Sequence, residues 1–293
     1  MSNNNYEMIS PTAMLVAHMR TFTDIPFAKE IANASGAENY FQSIIDNSPE
    51  PNMQSVPLSE ARYKSTNKII AQHGITQILE IAAGLSPRGL AMTENPDVIF
   101  VAADLPQILK QIKAVSESIL VRLNITRPNL YFKTANALNQ TDLLEAAAPF
   151  QAAKPIAIIT EGLLPYLKHE EKETMALNIK ELLKRYKGIW ITSDVNTIQS
   201  WRGMANTDEK MQEWMKNRMR NLSSMTGRNM VNNIFRDEAE VQQFFTNAGF
   251  MIQDYPHTNV FEELASLDRL HLDRDAISEI LKIYKSLILT SAA

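Results

Sequence analysis

The spacing of apolar residues changes near residue 76 and again after residue 195. Before residue 76 the pattern is helical. Ala13, Met14, Ala17 and His18 recur at helical spacing behind Ser10, a capping residue, and Pro11, which suits a first helical position, so a helix is predicted over 10–34. ENYFQSII (38–45) reads as a short helix, 46–57 as a loop rich in Pro, Asn and Ser, and 58–74 as a helix capped by Ser59 and closed by Gly74. From residue 76 short apolar runs take over, at 76–82, 97–104, 129–135, 155–162 and 187–195. Segments of helical length separate them, at 86–95, 105–124, 139–147 and 169–186. This alternation predicts an α/β fold, with right-handed βαβ units, a mostly parallel sheet and helices on both faces. After 195 the alternation stops. A helix is predicted over 206–222, with Met211, Met215, Met219 and Leu222 along one side, and another over 237–250. A sixth strand is predicted over 250–256, a short strand near 267–272, and a final amphipathic helix over 273–289.

A chain of 293 residues with 45% hydrophobic content can bury one large core, alone or with a helical cap. The net charge of −4 offers no general footprint for nucleic acid. The absence of cysteine excludes disulfides, thiolate chemistry and Cys-type zinc sites. The opening MSNNNYEMIS has no basic segment followed by an apolar one, and no apolar run reaches the ~18 residues of a membrane helix. A soluble cytoplasmic protein is therefore expected, with neither membrane nor nucleic acid as partner.

The candidate chemistry begins with EIAAGLSPRG (80–89). In open parallel sheets, ligands bind beyond the carboxyl ends of the strands. Gly84 lets backbone approach a ligand, and Ser86 and Pro87 are suited to start a helix as N-cap and first residue. Any strand-to-helix turn favours the same residues. Asp104 ends the second apolar run twenty positions beyond Gly84, where a carboxylate can accept hydrogen bonds from ribose hydroxyls; it could equally cap DLPQILKQI. The loop lacks the three-glycine approach to a pyrophosphate, and no P-loop is present. A ligand with ribose but no phosphate fits, and S-adenosylmethionine is such a ligand. Glu80 would then face its positively charged end. A nicotinamide-dependent oxidoreductase and a binding protein that transfers nothing are the alternatives.

EIAAGLSPRG, ADLP (103–106) and above all ITEGLLPYL (159–167) resemble the leucine carboxyl methyltransferase family, which includes bacterial small-molecule and polyketide O-methyltransferases. SPTAMLVAHMRTFTDIPFA (10–28) is similar to that family's opening helix, and SEARYKSTNKII (59–70) to its helix ahead of the first strand. The resemblance covers residues 10–195. It implies a Rossmann-like class I methyltransferase with a mostly parallel seven-stranded sheet, forming one domain over 1–293. Helical caps would span 1–57 and 196–236. It also implies S-adenosyl-L-methionine as cofactor and no metal. Arg62 matches the residue that pairs with the methionine carboxylate, and Glu80 and Gly84 the loop beneath the amino-acid moiety. Asp104 matches the ribose acid, followed by Leu105. Asn136 and Ala137 fall where the family has an acid and an apolar residue beside the adenine, so a neutral amide replaces a charge there. Glu161 matches the acid near the sulfonium.

On the acceptor side the resemblance implies Arg20, from the helix that covers the site, and Tyr166. Trp201 and Arg202 follow the fifth strand as further acceptor contacts, and Arg228 is a weaker candidate. In-line methyl transfer to a carboxylate needs no general base, whereas transfer to a phenol is helped by one. His18, His73, His169, His257 and His271 sit in no catalytic motif, so no catalytic residue is assigned and the acceptor is a small organic carboxylate or hydroxyl compound.

Overall fold

The computed structural model describes residues 11–45, 53–200 and 230–291. The predicted helix at 206–222, Trp201, Arg202 and Arg228 lie outside these residues. Five strands carry the apolar runs: β1 (Gln77–Ile81), β2 (Ile99–Asp104), β3 (Leu130–Thr134), β4 (Ile156–Thr160) and β5 (Gly188–Thr192). β6 (Phe250–Pro256) and β7 (Lys285–Ser291) complete one sheet in the order β3-β2-β1-β4-β5-β7-β6. β1 to β5 are parallel, and β7 runs antiparallel between β5 and β6. β1 and β4 are buried at every position, as strands covered on both faces must be. The edge strands β3 and β6 are only partly buried.

Helices α1 (Pro11–Met19), α2 (Ala28–Ser35), α3 (Ala37–Ile45) and α4 (Ser55–Gln72) precede the sheet. Within it come α5 (Arg88–Met92), α6 (Pro106–Leu123), α7 (Gln140–Ala146) and α8 (His169–Tyr186), and α9 (Glu238–Asn247) precedes β6. The helix expected over 10–34 is broken. It ends in a 3-10 turn at Arg20–Phe22, and Thr23 is extended. Pro26 then excludes a helical hydrogen bond, and the chain restarts as α2 after Phe27 at φ 62°. The helix expected from residue 58 begins at Ser55, with Pro57 in its first turn, and Gly74 follows its end at φ 60°.

The expectation for 273–289 is overturned. A helix spans only Arg274–Leu281, and the following apolar run becomes β7, in which Leu287, Ile288 and Leu289 are buried. A short run that is apolar on both faces fits either period, and the space between β5 and β6 decides it. The short strand expected at 267–272 is also absent; helix Ala265–Arg269 occupies part of it.

The sheet separates two cores. Leu79, Ile81 and Val101 pack with Met175, Ala176 and Ile179 of α8, while Ile78, Phe100 and Ile159 pack with Ile69 and Ile70 of α4. Strand alternation therefore puts Glu80 on the α4 face, beside Ile78. Among the described residues no helix is long and apolar enough to cross a membrane.

Candidate functional site

The strand order reverses between β1 and β4, and a cavity of about 520 Å³ lies at the carboxyl ends of these strands. Its floor is the loop after β1. Gly84 sits at φ 50°, in the left-handed region that glycine adopts at little cost. Its N–H donates to Asp104 Oδ2 at 3.0 Å, and Leu105 N–H donates to Oδ1 at 2.8 Å. Asp104 thus ties the β1 loop to the end of β2, which accounts for the twenty-residue spacing. Burial raises its carboxyl above the ordinary range, opposed by those two N–H groups. The helix after the loop starts one residue later than expected, with Pro87 as N-cap and Ser86 Oγ donating to Glu80 Oε1 at 3.1 Å.

Beside this loop lies a buried cluster of two acids and three arginines. Arg88 has no exposed surface. It donates through Nη1 to Glu80 Oε1, through Nη2 to Glu161 Oε2 at 2.8 Å and through Nε to Asn67 at 2.9 Å. Its guanidinium also lies 4.5 Å from the centre of the Tyr63 ring. Arg20 Nη2 donates to Glu161 Oε1 at 2.8 Å, and Arg62 Nε lies 3.2 Å from the same oxygen. Burial pushes the Glu161 carboxyl up, but Arg62, Arg88 and Arg20 together outweigh it and hold it at about 2. Glu80 is different: burial raises its carboxyl, and Arg88 only partly offsets that. Two buried polar atoms here have no partner, Glu80 Oε2 and Arg20 Nε, and Arg62 Nε has only its ion-pair contact with Glu161 and no hydrogen bond. With two carboxylates and three guanidiniums the cluster carries one excess positive charge.

The residues singled out in the sequence converge on this cavity. Arg62, Glu80, Gly84, Asp104, Leu105, Asn136, Ala137 and Glu161 all line it. Asn136 is exposed and its Oδ1 accepts from Leu138 N–H at 3.0 Å, which leaves the amide nitrogen end of the side chain for other partners. Arg20, expected among acceptor contacts, lines the cavity and stands in the ring of guanidiniums around Glu161. Tyr166, also expected there, lines the cavity and shares a 2.7 Å hydrogen bond between its hydroxyl and Thr12 Oγ1. That bond fastens α1 to the turn after β4. Tyr166→Phe is expected to lower stability by about 1 kcal/mol. Urea melts would read this, and an unchanged midpoint would show that the bond contributes nothing.

Arg88, outside the cavity lining, and three lining residues, Asp194, Lys172 and His257, are given no role by the sequence reading. Arg88 resembled an ordinary first-turn residue, and only the folded chain opposes it to both Glu80 and Glu161. Asp194, just after β5, accepts from Gly162, Leu163 and Leu164 N–H at 2.8, 2.7 and 3.1 Å and so fixes the backbone of the TEGLLPYL turn, where Gly162 has φ 79°. Lys172 is 2% exposed on the side of α8. His257 follows β6; its Nε2 lies 3.0 Å from Ser286 Oγ, and its Nδ1 is buried without a partner. Burial, then Arg62, depress this imidazole to about 3, so it is neutral at physiological pH. His18 instead stacks on Phe41, with ring centres 4.0 Å apart, and His169 is exposed beside Glu173.

Comparison with known proteins agrees with this geometry. The model of the leucine carboxyl methyltransferase family matches residues 13–180. Among solved structures, a DUF574 family protein from Streptomyces avermitilis superposes with a TM-score of 0.56 at 15% identity, covering 96% of this chain and 97% of that one. A putative methyltransferase from Thermobifida fusca gives 0.55 at 15% identity, with 96% and 94% covered. No curated protein matches the chain. The nicotinamide-dependent alternative gains no support from the family match. The fold is that of class I methyltransferases, with β7 as the antiparallel member of the sheet. With its family model spanning more than half the sequence, the chain belongs to the leucine carboxyl methyltransferase family of S-adenosyl-L-methionine-dependent methyltransferases.

Proposed function

We propose that the protein transfers a methyl group to an oxygen of a small organic acceptor, a carboxylate or a hydroxyl. The observation that carries this reading is the buried acid–arginine cluster at the β1–β4 reversal, with its unpartnered atoms and single excess positive charge. These atoms suit the amino-acid end of S-adenosylmethionine. Arg62 and Arg20 offer guanidinium N–H groups for its carboxylate, and Glu80 Oε2 offers an acceptor for its ammonium. Asp104 keeps a lone pair on each oxygen beyond the N–H it accepts, which suits two ribose hydroxyls. Asn136 and Ala137 flank the place for the adenine. When bound, the cofactor supplies an electrophilic methyl on a sulfonium.

The chain's own part is orientation and exclusion of water. Glu161 is ionised and held by three guanidiniums, so a negative charge is fixed beneath the reacting end of the cavity without conformational cost at the moment of reaction. Asp194 holds the turn that carries it. The neutral His257 can accept a hydrogen bond from a hydroxyl acceptor through Nδ1. Oxygen as the receiving atom is supported by the carboxyl specificity in the family's description.

The test offers methyl-labelled S-adenosylmethionine with a panel of carboxylic acids and phenols. Label on a carboxyl is released as methanol in alkali, and label on a phenol is retained as an ether. Binding of S-adenosylhomocysteine without transfer to any oxygen acceptor would reject the oxygen assignment, and no binding at high micromolar ligand would reject the cofactor.

A further inference from the structure

Lys172 stands apart from the other buried charges of the described residues. Arg20, Arg88, Glu80 and Glu161 neutralise one another, Glu60 pairs with Lys64, and Asp104 and Asp194 are held by backbone N–H groups. The Lys172 ammonium, 2% exposed, has no carboxylate within ion-pair distance among the described residues. Its partners are the carbonyl of Asn233, which uses one of three donors, and the face of Phe235, 4.6 Å from the ring centre. Burial lowers its pKa to about 8, with Glu240 and Asp194 opposing, so it is still mostly charged at neutral pH. A buried charge without a counter-ion is costly, and a lone carbonyl and a ring do not match what it gave up in water.

Its position gives that cost a use. Lys172 lines the same cavity as the arginine cluster, but from the opposite face of the sheet. The cluster lies on the face packed by α4, whereas Lys172 belongs to α8, which packs on the Leu79–Ile81 face. The wall includes the apolar Leu163, Leu167, Ile234 and Phe235. If the cofactor's amino-acid end occupies the arginine end, as the proposed function requires, Lys172 marks the far, acceptor end. We propose that Lys172 is an anion-anchoring site for the acceptor, which therefore carries an acidic group, held at Lys172 and not itself methylated, on an apolar body. This inference rests on the proposed function and adds the chemical class of the acceptor to it.

The test uses calorimetry on the full chain saturated with S-adenosylhomocysteine, with three probes of one shape: 3-(4-hydroxyphenyl)propionate, its primary amide, and tyramine. The acid is expected to bind ~10- to 100-fold more tightly than the amide, as one charge-assisted hydrogen bond to a buried ammonium gives. Tyramine, a cation, is expected to bind least. In Lys172→Met the acid falls to the affinity of the amide, while the affinity for S-adenosylhomocysteine stays within about twofold, since the variant does not touch the cofactor end. Lys172→Arg keeps a preference for the acid, which separates loss of charge from loss of fold. Equal binding of acid and amide to the unaltered protein, no binding of the acid at 10 mM (about its practical ceiling), or a preference that survives Lys172→Met would each overturn the proposal. Failure to bind S-adenosylhomocysteine would instead refute the proposed function, and the two failures are read separately.

Discussion

Replacing Arg88 with Met is expected to cost about 3–5 kcal/mol of folding stability, the range for removing one partner from a buried ion pair. Arg88 is fully buried and, among the described residues, is the one bonded to both Glu80 and Glu161. Met fills much of the same volume, so the loss reports charge and hydrogen bonding more than packing. Glu80 loses its only guanidinium partner among the described residues and takes up a proton at higher pH, because burial already pushes its carboxyl up. Glu161 keeps Arg20 and Arg62 and stays lower.

The pH dependence follows with a definite sign. In the unaltered protein the Glu161 carboxyl is depressed from 4.5 to about 2. A depressed acid stabilises the fold above its unfolded pKa, and that contribution drains away as pH falls from about 4.5 through about 2. Losing Arg88 raises the folded value, so the contribution shrinks, and its acid loss still begins near the unfolded value but ends at higher pH. Urea midpoints from about pH 7 down to about pH 2, which spans this linkage, measure both effects. A variant as stable as the parent at pH 7 would mean that desolvation of the cluster cancels its attractions. Arg88→Lys keeps the charge without the fork and is expected to fall between the two.

The second large effect is on cofactor affinity. Asp104→Ala is expected to weaken binding of S-adenosylhomocysteine about 100-fold, from two hydrogen bonds to a charged group at about 1.5 kcal/mol each. The same change removes the acceptor of Gly84 N–H and Leu105 N–H, so part of the loss comes through the loop. Asp104→Asn separates the two contributions: its carbonyl oxygen still serves one N–H, but its amide nitrogen opposes the other. Calorimetry gives the affinity and circular dichroism shows whether the fold persists. An unchanged dissociation constant for the Ala variant would remove Asp104 from the ribose role.

The N-terminal and C-terminal thirds show why some elements were harder to read than others. The β1, β2, β4 and β5 runs were legible because each is buried on both faces and cut to strand length by flanking turn residues, so length settled what period alone could not. Residues 285–291 were not, because KSLILTS follows a true helix without a glycine or proline to mark the change. The break inside 10–34 was marked, by Pro26, but the helical spacing on either side obscured it.

The sequence by itself determined the α/β alternation, the loop at Gly84, the acid at Asp104 and the acid at Glu161, because each depends on residue type and on distance to the end of a strand. Tertiary structure alone decided what these groups meet. Arg88, Arg20 and Arg62 come from three separate helical segments, and no local pattern records that they converge on one carboxylate. Asp194 and Lys172 acquire their roles only when β5 and α8 are set beside β4. Electrostatic partners are chosen by distance in space, whereas local sequence fixes only distance along the chain.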